Sequence, residues 1–278
     1  MTQHIVPGPM GVRQYDHAAR PYSPSEGCIL RDWVGPGQPP GSLGSRIYDP
    51  LLFPREAQSF EKSSIEEKAQ ALLAAPASTF SPGENIRGTV FMGGAGMNGG
   101  YISDMMRAFS RKGIRLTQAN PKRWSGGTLM DAVIGVDAFR LGKTQIQVLL
   151  ERFPPQGNQF NLIGYSYGSL AAAQVAINYA QAGTKIDHLI LIGSPIGSGF
   201  LNQLQKQENI KSVIIIDLTP QGDPIFAGIS REKLLASALQ LGKQMLDSSG
   251  HFHYVPNSED GKKRRDELAD YLYSRGLR

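Results

Sequence analysis

Apolar residues in the last two thirds of the chain recur in two alternating rhythms. Short, nearly continuous apolar runs at 86–92, 114–118, 160–163, 188–192 and 212–216 read as strands buried on both faces. Between and after them, helix-like patterns fall near 101–111, 129–152, 168–182, 230–246 and 262–275. Strands alternating with helices predict an α/β fold, with a mostly parallel central sheet sandwiched between two helical layers. No strand signal lies between Asp223 and His251, so the sheet is expected to lack a last strand.

Residues 1–58 carry little periodicity and much Pro and Gly, including GPGQPPG at 35–41. They read as an irregular arm that wraps the domain or docks a partner. Residues 59–76 carry a helix signal, with Ser63 or Ser64 as cap, acids in the first turn and Pro76 as stop. The expected division is a 1–58 arm and a 59–278 α/β domain, without internal repeats.

The segment Phe160-Asn161-Leu162-Ile163 is followed by Gly164-Tyr165-Ser166-Tyr167-Gly168 and then by small, helix-favouring residues. With 32 glycines in 278 residues, chance yields roughly 0.3 G-x-S-x-G matches, so the five letters alone are weak. Their flanks carry the weight: strand, sharp turn with serine at its apex, helix, the order of a nucleophile elbow. Glycines are needed where strand and helix approach closely.

A chain with 40% hydrophobic and 19% charged residues has the composition of a globular protein. The single cysteine, Cys28, excludes an internal disulfide. The amino terminus has no apolar run of signal-peptide type, and no stretch reaches membrane-spanning length. Synthesis in the cytosol is expected, with any export by a route that reads no cleaved leader. The net charge of +5 suits an anionic membrane surface but is a modest excess, and no nucleic-acid partner is expected.

A second glycine-rich turn, Gly93–Gly100, contains G-x-G-x-x-G from Gly94 to Gly99 after a strand and before a helix. As a dinucleotide fingerprint it requires an acid about 20 residues on. The next strand instead ends Gln118-Ala119-Asn120-Pro121-Lys122-Arg123, which suits at most a 2′-phosphate, so an NADP-dependent oxidoreductase is the weaker reading. Alternatively, an amide near Ala95 or Gly94, together with that of Tyr167, forms an oxyanion hole.

A serine nucleophile needs a base and an orienting carboxylate, in the chain order Ser, acid, His. Of His4, His17, His188, His251 and His253, the last two follow the acids. Asp223, in a Gly-Asp-Pro-Ile turn after the 212–216 strand, is preferred to the alternative Asp217, which suits a strand-end turn. His251, after a glycine, is preferred to the alternative His253, which shares its face if the segment is extended. No third ligand accompanies the two histidines, so no metal is expected. His188 reads as structural.

The strand–GYSYG–helix unit, HLILIGSPI, VIIIDLTPQGDPI and SGHFHY together resemble the α/β-hydrolase superfamily over about 86–275. They are similar to lipases, cutinase-like esterases and bacterial phospholipases, antibacterial effectors among them. The resemblance implies Ser166 as nucleophile, His251 as general base and Asp223 as its partner. It further implies no cofactor, a lipid or other ester substrate, and an immunity or chaperone protein as partner. The alternative is a hydrolase-like protein that binds a ligand without turnover. The chain departs from the pattern in its missing last strand, and from cutinases in lacking disulfides. About 18 residues separate Gly193 from Ser212, too few for a large cap. Cover is left to the arm or to 119–128, where Trp124 is either a flap or a packing residue. Lys262–Arg265 at the head of the last helix form a solvated end or a contact for anionic headgroups.

Overall fold

The computed structural model describes residues 12–16 (as backbone), 78–94, 100–121, 124, 135–144 and 147–278. Among them, strands β1 (Val12–Asp16), β2 (Gly88–Met92), β3 (Leu116–Gln118), β4 (Phe160–Tyr165), β5 (Ile186–Ile192) and β6 (Ile210–Ile216) form one sheet. Its spatial order is β1-β6-β5-β4-β2-β3. The strands from β2 to β6 are parallel, and β1 joins β6 antiparallel. The described helices are α1 (Gly100–Ser110), α2 (Tyr167–Gln181), α3 (Ser198–Gln205), α4 (Arg231–Ala236), α5 (Ala238–Asp247) and α6 (Glu259–Ser274).

Alternation along each strand sorts the core into two layers. Val90, Met92, Leu162, Leu189, Leu191, Val213 and Ile215 face one side, against Leu170 and Ala173 of α2 and Phe200 and Leu204 of α3. Phe91, Ile163, Ile190, Ile192, Ile214 and Ile216 face the other, against Met105 and Phe109 of α1 and Leu268 and Leu272 of α6. The result is a three-layer α/β sandwich, compatible with an α/β-hydrolase-like fold. Because both faces are covered, the strands are apolar throughout rather than alternating, the pattern visible in the sequence.

No strand follows β6 among the described residues. The outer edge of β6 is instead paired by β1, which comes from the amino-terminal arm and satisfies backbone groups that an open edge would expose. The helix signal at 59–76, Cys28, His4 and His17 lie outside the described residues.

Two helix expectations change. Within 129–152, residues 135–139 are helical, but Val148 and Leu150 are buried with Leu149 half-buried between them, and Glu151 bridges to Thr79. The helix ends at Phe139, and Gly142 just beyond it has a φ of 63° in the left-handed region and a missing Cβ that makes room for the Phe200 ring. The 230–246 helix is two, α4 and α5, joined at Ser237. The 194–211 stretch, too short for a large cap, contains α3, whose Phe200, Leu201 and Leu204 are buried in the core.

At the opposite end of the sheet from the elbow, Thr89, Asn161, His188 and Ser212 stand side by side on four neighbouring strands. Asn161 Nδ2 donates to Thr89 Oγ1 (3.0 Å), and His188 Nδ1 lies 2.9 Å from Asn161 Oδ1. His188 therefore belongs to a buried polar row, as a structural histidine should.

Candidate active site

β4 carries the chain to Ser166, and α2 leads it away. Ser166 has φ 55° and ψ −126°, a left-handed conformation unusual for a residue with a side chain. Its N–H donates to Ile192 O (2.8 Å), and its carbonyl accepts from Ser169 N (3.0 Å) and Ser169 Oγ. These bonds hold the strained turn, and the serine side chain is presented at the carboxyl end of the sheet. A Cβ on Gly164 would overlap the Ser169 backbone, and one on Gly168 would overlap the carbonyls of Met92 and Gly93. Both flanking glycines are thus required by the contact of β4, α2 and the end of β2.

Ser166 Oγ lies 2.6 Å from His251 Nε2, and His251 Nδ1 lies 2.7 Å from Asp223 Oδ2. Both His251 and Asp223 are buried. The remaining carboxylate oxygen of Asp223 accepts from Ile225 N (2.8 Å), and the Asp223 N–H donates to Leu218 O (3.0 Å). A carboxylate held in this way keeps a proton on Nδ1 and leaves Nε2 as the acceptor facing the serine hydroxyl. Gly193, at the end of β5, packs beside the pair. A Cβ there would stand 3.4 Å from His251 Cε1 and 3.5 Å from Asp223 Oδ2.

Tyr165, the residue before Ser166, does more than pack. Its ring stacks near His251 (centroids 6.1 Å apart, 22° between planes) and its hydroxyl donates to the His251 carbonyl. Burial, reinforced by Tyr101, Asp223 and Tyr254, holds its pKa well above the ordinary phenol value, so it remains a neutral donor. Tyr167 Oη donates to the Trp124 carbonyl (2.6 Å), and Trp124 is buried among core side chains, while its neighbours 122–123 and 125–134 lie outside the described residues. As the first residue of α2, Tyr167 has its amide at a helix N-terminus, where the macrodipole favours negative charge. Ala95, the other oxyanion candidate, lies outside the described residues, as do Lys122 and Arg123.

The two alternatives have other surroundings. Asp217, at the end of β6, accepts from Ala227 N (2.9 Å) and holds the turn after Asp223. His253 does not share a face with His251, because Gly250–Phe252 forms a 3-10 turn rather than an extended segment. Burial and the neighbouring Arg264 push the His253 pKa down to about 4. A metal held jointly by the two histidines does not fit, since both His251 nitrogens already face Ser166 and Asp223.

The basic run divides in the structure. α6 starts at Glu259 behind the Ser258 cap, so acids occupy its first turn, ahead of the lysines and arginines. Arg265 is wholly buried and donates to the carbonyls of Tyr254 (2.7 Å) and Pro256 (2.9 Å). It fixes the segment after His251 instead of facing solvent. Lys262 and Lys263 pair with Glu259 and Glu267, and Arg264 donates to His253 O.

Between Asp223 and His251 in the chain lies α5, which exposes three large apolar side chains among the polar Gln240, Lys243 and Asp247. Leu239 is 90% exposed, Leu246 83% and Met245 46%. Among the described residues, no helix is long and apolar enough to cross a membrane. No family model matches the chain, and no curated protein matches it.

Proposed function

We propose that this protein is a serine carboxylic-ester hydrolase acting on lipids. The observation that carries the reading is the continuous hydrogen-bonded series Ser166–His251–Asp223, with the serine on a strained turn at a helix N-terminus. In this mechanism His251 Nε2 takes the hydroxyl proton as Ser166 Oγ attacks the ester carbonyl. Asp223 stabilises the resulting imidazolium without taking its proton. The Tyr167 amide, with that of Gly94 or Ala95, holds the oxyanion. His251 then protonates the departing alkoxide, which leaves as the alcohol. A water deprotonated by His251 attacks the acyl-serine, and collapse returns the proton to Ser166 and releases the carboxylic acid. No cofactor takes part.

The lipid assignment rests on the exposed Leu239, Met245 and Leu246 beside the acid and base loops, a surface suited to an aggregated apolar substrate. The test has two steps. A fluorophosphonate probe should label the full chain at Ser166, located by peptide mapping. Incubation with mixed phospholipid and acylglycerol vesicles should then release fatty acids identifiable by mass spectrometry. Absence of labelling at Ser166 would overturn the serine mechanism. Labelling without lipid products, but with turnover of soluble esters, would overturn the lipid assignment alone.

A further inference from the structure

The acid and the base sit on separate loops, 28 residues apart in the chain, and one side chain spans both. Gln244 is the buried residue of α5, a helix otherwise largely exposed. Its Nε2 donates to Gly222 O (2.6 Å), the carbonyl immediately before Asp223. Its Oε1 accepts from the His251 N–H (3.0 Å). Gly222 O can only accept and His251 N–H can only donate, so just one orientation of the amide satisfies both.

The surroundings are shaped around that amide. Gly250 has φ 51°, and a Cβ there would overlap the Gln244 side chain. The Gln244 carbonyl also accepts from Ser249 N (3.1 Å), so main chain and side chain together grip the turn that delivers His251. On the far side of that turn, Tyr165 holds the His251 carbonyl. The His251 backbone is thereby gripped at its N–H by Gln244 and at its carbonyl by the residue preceding the nucleophile.

Resting on the hydrolase reading above, we infer that Gln244 is a positioning residue that fixes the separation of Asp223 and His251. It touches neither substrate nor reacting atoms and acts through the two loops it joins. A misplacement of about 1 Å at a reacting group costs on the order of a hundredfold in rate, so a two-loop tether has a large effect on turnover.

The test compares Gln244→Met, which keeps the shape and loses both bonds, with Gln244→Glu, which keeps the acceptor for His251 N–H and loses the donor to Gly222 O. Three quantities are measured on the full chain: turnover of a soluble short-chain ester, thermal unfolding, and the far-downfield proton NMR signal of the His251 Nδ1–H. His251→Ala assigns that signal. The Met variant should lose roughly 10- to 100-fold in kcat per probe-labelled serine, with KM little changed, and its downfield signal should broaden or vanish. The Glu variant should fall between Met and wild type. A lowered unfolding temperature with wild-type kcat and an intact signal in the Met variant would reduce Gln244 to a packing residue and overturn the inference. So would a Glu variant equal to wild type in both readouts. If the wild-type protein shows the signal without ester turnover or labelling, the hydrolase reading fails. Loss of the signal in the variants would still establish the tether.

Discussion

Ser166 Oγ and His251 Nε2 approach to 2.6 Å across 85 residues of chain. The contact exists because two unrelated pieces of backbone are both constrained. One is the elbow, held by the glycines at 164 and 168. The other is the 3-10 turn at Gly250–Phe252, held from three sides by Gln244, Tyr165 and Asp223.

Replacing Ser166 separates chemistry from strain. Ser166→Ala and Ser166→Gly should both lower ester turnover by roughly 10⁴- to 10⁶-fold. Only glycine relaxes the positive φ, so Ser166→Gly should be more stable than Ser166→Ala by about 1 kcal/mol. Denaturant titration of the pair provides the check. Equal stability would mean that the elbow is not strained.

The two aspartates should part company. Asp223→Asn leaves the fold intact but removes the charge facing His251 Nδ1, and should cost on the order of 10⁴-fold in kcat. Asp217→Ala removes the acceptor of Ala227 N–H and should lower stability by about 1–3 kcal/mol, with activity per folded molecule within a few-fold of wild type. Steady-state kinetics and unfolding curves on both variants decide the assignment.

His253 should make the fold acid-sensitive without serving catalysis. Its folded pKa of about 4 lies below the ordinary histidine value of 6.5, so the unfolded chain binds the proton more readily. That contribution to stability is complete above pH 6.5 and is lost as pH falls towards 4. His253→Gln should therefore show a smaller drop in unfolding temperature between neutral and acidic pH, while its ester turnover at neutral pH stays within a few-fold of wild type. A fall of several hundredfold in that turnover would move the base role to His253.

Leu239→Ser combined with Leu246→Ser should lower activity on lipid vesicles by roughly tenfold or more, because each exposed leucine contributes apolar area to a surface contact. Hydrolysis of a soluble butyrate ester should be unchanged. Parallel assays on the two substrates test whether this face meets the aggregate.

What could be read early was what depends on neighbours in sequence. GYSYG announced its turn because the glycines and the serine that build it are adjacent, and the apolar runs announced a buried parallel sheet because both faces are covered. Asp223 and His251 are narrowed by order along the chain, but that Asp223 meets His251 while Asp217 holds Ala227 N, and that His253 turns away from His251 at a 3-10 turn, depends on long-range structure. Residues 147–152, outside the helix, carry an apolar pattern that suits either period. The left-handed Gly142 beyond the helical part of 129–152 leaves room for Phe200, more than fifty residues away.

Local pattern alone determined the strand–elbow–helix unit, the α/β class and a short set of acids and bases. Tertiary structure decided which members of that set meet, that β1 closes the edge of β6, that Arg265 is a buried clamp, and that Gln244 ties the acid loop to the base loop. Those are long-range hydrogen bonds and packing contacts. They depend on where distant segments come to rest, and no local period or motif encodes that.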